Sequence, residues 1–206
     1  METNKLGILF SGGKDSAYAA WLVRKEGYEI GCLISIVSEN KESYMFHTPF
    51  IDKVNLQAKE MGIPLIIVKT KGEKEHELID LEKAIKLAIK KYKIRGVVTG
   101  AIESVYQATR VQKICNQLKI ECFNPLWQKN AIEHWEDLIK NKFKVILVSV
   151  AADGLNKEWT QKEINSQRLD ELIKLSKKYK FHLAFEGGEA ETFVVNSPLF
   201  NKEVKL

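Results

Sequence analysis

Ser11-Gly12-Gly13-Lys14-Asp15-Ser16 gathers two hydroxyls, two glycines, a cation and a carboxylate into one short stretch. The chemistry this suits is the holding of an anion. An apolar run, residues 6–10, precedes the stretch, and a helical pattern, Ala17 to Lys25, follows it. A strand, a glycine loop and a helix start present unpaired backbone N–H groups and the positive end of a helix dipole. Gly12 and Gly13 have no Cβ, so an anion can approach the backbone. Lys14 is expected to add a mobile positive charge, and the hydroxyls of Ser11 and Ser16 to donate further bonds. Asp15 or Ser16 suits a helix cap, and the Asp15 carboxylate beside a polyphosphate suits Mg2+.

Three further constellations have chemical potential. Glu186-Gly187-Gly188-Glu189-Ala190-Glu191 sets three carboxylates around a Gly-Gly turn, which suits a metal, an ammonium ion or a general base. An ordinary hairpin turn with exposed acids explains the same residues. Residues 103–110 open a predicted helix on which Glu103, Gln107 and Arg110 share a side. Arg110 there suits a phosphate or carboxylate, and a solvated helix face is the alternative. Residues 72–77 form a charge run of the kind that is usually solvated. His47 and His76 stand alone, with no His pair at metal-ligand spacing. Trp127, Trp135 and Trp159 suit core packing better than base stacking.

These residues need elements to position them. Strands are expected at residues 6–10, 30–37, 64–68, 96–99 and 121–123. Helices are expected at residues 16–26, from Thr48-Pro49 to Gly62, and at residues 75–92 and 104–118. The alternation predicts an α/β fold with a doubly wound, mainly parallel sheet and right-handed crossovers. Ligands of such sheets sit beyond the strand carboxyl ends at the switch point, so the glycine loop, the polar loop after Val37 and Gly100-Ala101 should line one cleft. Pro125-Leu126-Trp127 breaks the alternation. Residues 1–124 are therefore read as a nucleotide-binding domain and residues 125–206 as a smaller C-terminal substrate-binding α/β subdomain. The latter is expected to hold helices at residues 131–141 and 163–179, a strand at 144–151, and short strands at 182–185 and 192–195 flanking the carboxylate turn.

The 206 residues suit one domain with a small appendage. The formal charge of +5 does not by itself indicate nucleic acid, and no stable nucleic-acid partner is expected. Cys32, Cys115 and Cys122 form no C-x-x-C and read as reduced thiols of a cytoplasmic protein. Neither a signal peptide nor a membrane span is expected.

The stretch SGGKDS resembles the PP-loop of the N-type ATP pyrophosphatases. The ordered set that follows is similar to the diphthine–ammonia ligase family over nearly the whole chain. It comprises Ser38-Glu-Asn-x-x-Ser-Tyr-Met-x-His47, Gly72-Glu-Lys-Glu75, Gly100-Ala-Ile-x-Ser-x-Tyr-Gln-x-x-Arg110-Val111, Pro125-Leu-Trp127, Glu186-Gly-Gly-Glu-x-Glu-Thr-Phe193 and Pro198-Leu-Phe200. The resemblance implies the adenine-nucleotide α-hydrolase-like (HUP) fold and ATP with Mg2+. It implies amidation of diphthine on translation elongation factor 2 by ammonium, through an acyl-adenylate, with release of AMP and pyrophosphate. Ser11 to Ser16 would hold the pyrophosphate, with Lys14 and Asp15 catalytic, and Gly100 and Ala101 would lie on the nucleotide side. Tyr44, His47, Glu103, Tyr106, Gln107, Arg110, Glu186 and Glu189 would face substrate, and the carboxylate turn by itself suggests Glu189 or Glu191 as the base for ammonium. A tRNA-modifying PP-loop enzyme that adenylates a base is the rival reading, and a non-catalytic ATP or AMP sensor is another. Two departures stand out. Gln128 follows Trp127 where the family has Gly, and the chain ends soon after Phe200, where archaeal relatives continue. The short end would leave a sheet edge open, which points to a homodimer.

Overall fold

The computed structural model describes residues 5–40, 53–73 and 75–206. Five strands, β1 (Lys5–Leu9), β2 (Glu29–Ser38), β3 (Leu65–Thr70), β4 (Gly96–Val98) and β5 (Glu121–Phe123), form a sheet in the order β3-β2-β1-β4-β5. Every pairing in it is parallel. The expected α/β sheet is thus present, and its order reverses between β1 and β4. Helices α1 (Lys14–Lys25), α2 (Val54–Met61), α3 (Glu77–Tyr92) and α4 (Val105–Leu118) make the crossovers. The Thr48-Pro49 helix start expected from the sequence lies outside the described residues, as do Tyr44 and His47. Gly62 ends α2 in the left-handed conformation, as a stop glycine should.

The central strands bury both faces because their interiors are apolar. On one side Cys32, Ile34, Ile66 and Val97 pack against Leu81 and Ile85 of α3 and Val111 and Ile114 of α4. On the other, Ile8, Phe10 and Val98 pack with Ala17, Tyr18 and Ala20 of α1. That second core continues without a break into Trp135, Leu138, Val145, Leu169, Phe185 and Val194 of the C-terminal third. Burial of this kind contributes about 25 cal/mol per Å² of apolar surface removed from water.

The C-terminal third contains α5 (Ala131–Lys140), β6 (Lys144–Val150), α6 (Ser166–Tyr179) and β7 (Ala190–Asn196), with a 3-10 turn at Lys157–Trp159. β6 and β7 pair antiparallel as a separate two-stranded sheet. Asn130 and Asn165 cap α5 and α6 with their side-chain oxygens. The C-terminal tail lies along β7, with Val204 N donating to Val195 O at 2.8 Å and Lys144 pairing with Glu203.

Two local expectations change. Residues 182–185 form no strand. Their carbonyls turn inward instead: Leu183 O accepts from Trp135 Nε1 at 2.9 Å, and Ala184 O accepts from Lys14 Nζ at 2.7 Å. The carboxylate turn is therefore not the bend of a hairpin, because β7 pairs with β6. Glu103 precedes α4, since Ser104 is the cap and its hydroxyl accepts from Gln107 N. Glu103 thus does not share a helical face with Gln107 and Arg110.

Gln128, at the position where a glycine was expected, has a φ of 59° and donates its N–H to Ile102 O at 2.8 Å. The turn keeps a glycine conformation without a glycine. Gln128→Gly should raise stability by about 0.5–1 kcal/mol by relieving left-handed strain. Urea unfolding checks this, and a loss of stability would contradict it.

Candidate functional site

The glycine loop sits at the carboxyl end of β1, where the sheet order reverses. Its serines close it on itself: Ser16 Oγ accepts from Ser11 N at 3.2 Å, lies 3.2 Å from Ser11 Oγ, and donates to Gly13 O at 3.2 Å. Gly12 has a φ of +83°, and a Cβ there would come within 2.6 Å of Gln57 Oε1. Gln57, fully buried in α2, clamps the loop by donating to Gly12 O and to Val194 O at 2.9 and 2.7 Å. β7 adds two more ties, Val194 N to Gly12 O at 3.0 Å and Lys14 N to Thr192 Oγ1 at 3.1 Å. The loop at the start of α1 is thus shaped jointly by both sheets.

Gly100 closes the other side of the switch point. A Cβ there would come within 2.7 Å of the backbone of Asp15 and Ser16. Thr99 shapes this turn, accepting from Ala101 N at 3.1 Å and donating to Asn124 Oδ1. The sequence-predicted loop and Gly100-Ala101 therefore meet, as the switch-point argument requires. Gly100→Ala should force the start of α1 to shift and weaken ATP binding about tenfold or more. Calorimetric titration with ATP checks this, and unchanged affinity would contradict it.

Lys14 is not mobile. It is 1% exposed. Its ammonium bonds Asp15 Oδ2 at 2.9 Å and Ala184 O at 2.7 Å, and it lies 5.7 and 5.6 Å from the ring centres of Trp135 and Phe185. A carboxylate, a carbonyl and two aromatic faces compensate the buried charge. Phe185 holds a φ of 63°, an uncommon conformation for a bulky residue and one that concentrates at functional sites.

Asp15 is shared. Its Oδ1 lies 2.8 Å from Nε2 of His134, a fully buried residue of α5. Burial pushes the Asp15 carboxyl up, but the Lys14 charge and the His134 hydrogen bond outweigh it and hold it below the usual range. Burial lowers the His134 pKa, and Asp15 opposes this only in part. Both oxygens of Asp15 are thus engaged by protein. Among the described residues no group of three or more His, Cys, Asp or Glu is placed to hold a metal ion.

The three acids of the turn separate in role. Glu186 Oε2 accepts from the N–H groups of Ser104 and Glu103, at 3.1 and 3.4 Å. It joins the turn to the start of α4. Glu189 folds back on its own loop, accepting from Gly187 N at 2.9 Å and His182 N at 3.1 Å. Glu191 lies in β7 opposite Ser149, within electrostatic reach of Lys14 and Asp15. Burial pushes its carboxyl up to about 7, against the pull of Lys14 and with the push of Asp15. A carboxyl that titrates near neutrality beside a buried cation is suited to proton transfer.

Tyr106 and Arg110 bond Glu75 rather than the loop. Arg110 is paired with Glu75 through Nε and Nη2 and stacks over the Tyr106 ring at 3.4 Å. Tyr106 Oη also donates to Glu75 at 3.0 Å. Glu103 has its carboxylate 3.7 Å from His182. Of the charge run, Glu77 is fully buried, not solvated. His134, Trp135, Thr192, Gln57 and Phe185 are the site residues that sequence reasoning did not single out as such. Thr192 lay inside a quoted motif. Trp135 and Phe185 read as ordinary core residues, and nothing local marks the polar Gln57 and His134, which only the fold buries. All three cysteines are free thiols, and no helix among the described residues is long and apolar enough to cross a membrane.

Residues 4–122 match the sequence-family model described as the diphthamide synthase N-terminal domain, and residues 130–206 match that of the C-terminal domain. The diphthine–ammonia ligase of Rattus norvegicus is 33% identical over 218 residues, spanning 97% of this chain and 82% of that protein. The Homo sapiens ligase is 32% identical over 221 residues with the same two coverages. The Schizosaccharomyces pombe ligase is 32% identical over 96% of this chain, which is 35% of that longer protein. A solved Methanocaldococcus jannaschii structure, described as a predicted subunit of tRNA methyltransferase, superposes with a TM-score of 0.51. It is 18% identical and is covered to 99%, against 97% of this chain, a likeness that concerns the fold.

Proposed function

Because the chain belongs to the diphthamide synthase family of diphthine–ammonia ligases, we propose that it amidates diphthine on translation elongation factor 2 with ATP and ammonium. The observation that carries the reading is the junction of the glycine loop, Lys14-Asp15-His134 and Glu191 at one sheet switch point.

In this reading the diphthine carboxylate attacks the α-phosphorus of ATP. An acyl–adenylate bond forms and pyrophosphate leaves. Ammonia then attacks the acyl carbon, the C–O bond to AMP breaks, and the amide remains. The loop backbone and the start of α1 bind the polyphosphate through N–H groups and the helix dipole. The buried Lys14 ammonium, held by Asp15 and Ala184 O, adds its positive field to the loop that binds the polyphosphate. Ammonium must lose a proton before it attacks, and Glu191 is the group that takes it. Glu189 is expected to support the loop instead, because its oxygens already accept backbone N–H groups. Mg2+ would arrive with the nucleotide, since the described side chains form no metal cluster of their own. Tyr106, Gln107 and Arg110 line α4 where the modified protein would approach.

The pH dependence follows. Glu191 must be ionised to accept a proton, so kcat/KM for ammonium should rise with pH through about 7. A profile flat from pH 6 to 8 would remove Glu191 as the base.

Nucleotide product analysis tests the whole. The protein is mixed with Mg-ATP, ammonium and elongation factor 2 carrying diphthine, and each is omitted in turn. AMP and pyrophosphate that require the elongation factor, with amide formed only when ammonium is present, are the expected outcome. No AMP under any combination would overturn the reading in favour of a nucleotide sensor.

A further inference from the structure

His134 stands outside every motif of the sequence, yet it is fully buried and touches the glycine loop's own carboxylate. α5 places it there. Asn130 starts this helix by accepting from Ile132 N and Glu133 N, and His134, Trp135 and Leu138 occupy its buried side. The Tyr18 ring meets the imidazole edge-on at 5.2 Å between centres. Trp135, its sequence neighbour, packs against the Lys14 ammonium. One turn of one helix therefore contacts both members of the Lys14–Asp15 pair.

The imidazole is unevenly satisfied. Nε2 lies 2.8 Å from Asp15 Oδ1, whereas Nδ1 is buried with no hydrogen-bond partner among the described residues. An ionised carboxylate only accepts, so Nε2 carries the proton and Nδ1 the lone pair. A buried polar nitrogen without a partner is destabilising, and native structures contain few such groups. A wholly apolar ring would fill the same space without that cost. What histidine supplies, and Phe does not, is one neutral N–H aimed at Asp15.

Asp15 links the imidazole to Lys14. Its side chain retains 25% exposure, while that of Lys14 has 2%. With Oδ1 held by His134, Oδ2 is directed at Lys14 Nζ, which in turn reaches Ala184 O. The charged groups about the imidazole are Asp15 and Lys14 from α1 and Lys129 from the segment before α5. The two lysines disfavour a second proton on the ring, and burial does so more strongly. A neutral donor lets Asp15 keep its full charge for Lys14. A cationic imidazole would compete with Lys14 for it.

We propose that His134 is a positioning residue of the ligase site: its Nε2–H locks the Asp15 carboxylate, and through it the Lys14 ammonium, in the orientation that turnover needs. The inference rests on the ligase reading for its kinetic part and on geometry alone for its structural part.

Two measurements on the full chain separate these. Nitrogen-15 NMR of labelled histidine reads the tautomer directly. An Nε2–H ring hydrogen-bonded to a carboxylate is expected, and an Nδ1–H tautomer would overturn the proposal whatever the enzyme's substrate. In steady-state assays, His134→Phe is expected to lower kcat about 100-fold, the cost of misplacing a reacting group, while KM for ATP stays within about threefold. His134→Gln, which can return an N–H to Asp15, should recover most of kcat. Equal kcat in His134→Phe and wild type would overturn the proposal. So would a His134→Gln enzyme as slow as His134→Phe when both melt within a few degrees of wild type. Should wild type itself form no amide, the ligase reading fails and the NMR result alone decides the role of His134.

Discussion

Glu191→Gln is expected to slow ammonium-dependent amide formation severely and, at the same time, to make the protein more resistant to heat at pH 8. The two effects share one cause. The Glu191 carboxyl is pushed up to about 7 by burial, so at pH 8 the fold holds an ionised carboxylate where a neutral group would fit better. The folded-state pKa lies above that of the unfolded chain. Its contribution to stability is therefore fully present below the ordinary carboxyl range and is lost as pH rises through about 7. Glutamine keeps the shape and never ionises. The gain at pH 8 should be on the order of 1–3 kcal/mol and should vanish near pH 4. Turnover should fall about 10²–10⁴-fold, the usual contribution of a positioned base. Calorimetric melting at both pH values and amide formation at saturating ammonium measure the pair. Wild-type turnover in Glu191→Gln would remove it from the mechanism, and equal melting at pH 8 would show that the carboxylate is not destabilising there.

Lys14→Ala should reduce turnover about 10²–10³-fold, as loss of a preorganised charge does, and should also lower stability. A surface loop lysine would produce only the first effect. Here the side chain is 1% exposed and its ammonium is the partner of Asp15, so truncation leaves a cavity and a carboxylate held by His134 alone. Because Asp15 retains some contact with water, the stability loss should be about 1–3 kcal/mol, below that for a fully buried pair. Lys14→Met keeps most of the volume and isolates the charge: it should be as inactive as Lys14→Ala but more stable. Chemical denaturation and turnover of the two variants distinguish the effects. An active Lys14→Met enzyme would show that the ammonium serves only the fold.

The parts of the molecule written in local chemistry were legible in the sequence. The parallel sheet followed from apolar runs alternating with helical patterns, and its switch point followed from a glycine loop after the first strand. Gly100 was legible as a residue of the switch point because it follows a strand, although its closeness to Asp15 was not. Misreadings came where a distant group claimed a backbone atom. Residues 182–185 are apolar and strand-like, but Trp135 and Lys14 take the carbonyls of Leu183 and Ala184. Glu77 belonged to a charge run, yet the first turn of α3 buries it.

By itself the amino-acid sequence determined the fold class, the glycine loop and the ordered motifs of the family, because these depend on residue type at short spacing. Only the tertiary structure decided what the charged groups do. Glu189 and Glu191 stand two residues apart and are equivalent on paper. One folds back onto backbone N–H groups of its own turn, and the other is carried by β7 into a desolvated place near Lys14. Lys14 reads as a loop cation but points into an aromatic and carbonyl cage built from α5 and the turn before β7. His134 is separated from Asp15 by most of the chain and lies 2.8 Å from it in space. Desolvation and long-range pairing set these roles, and neither exists until the C-terminal third packs on the first strand and helix.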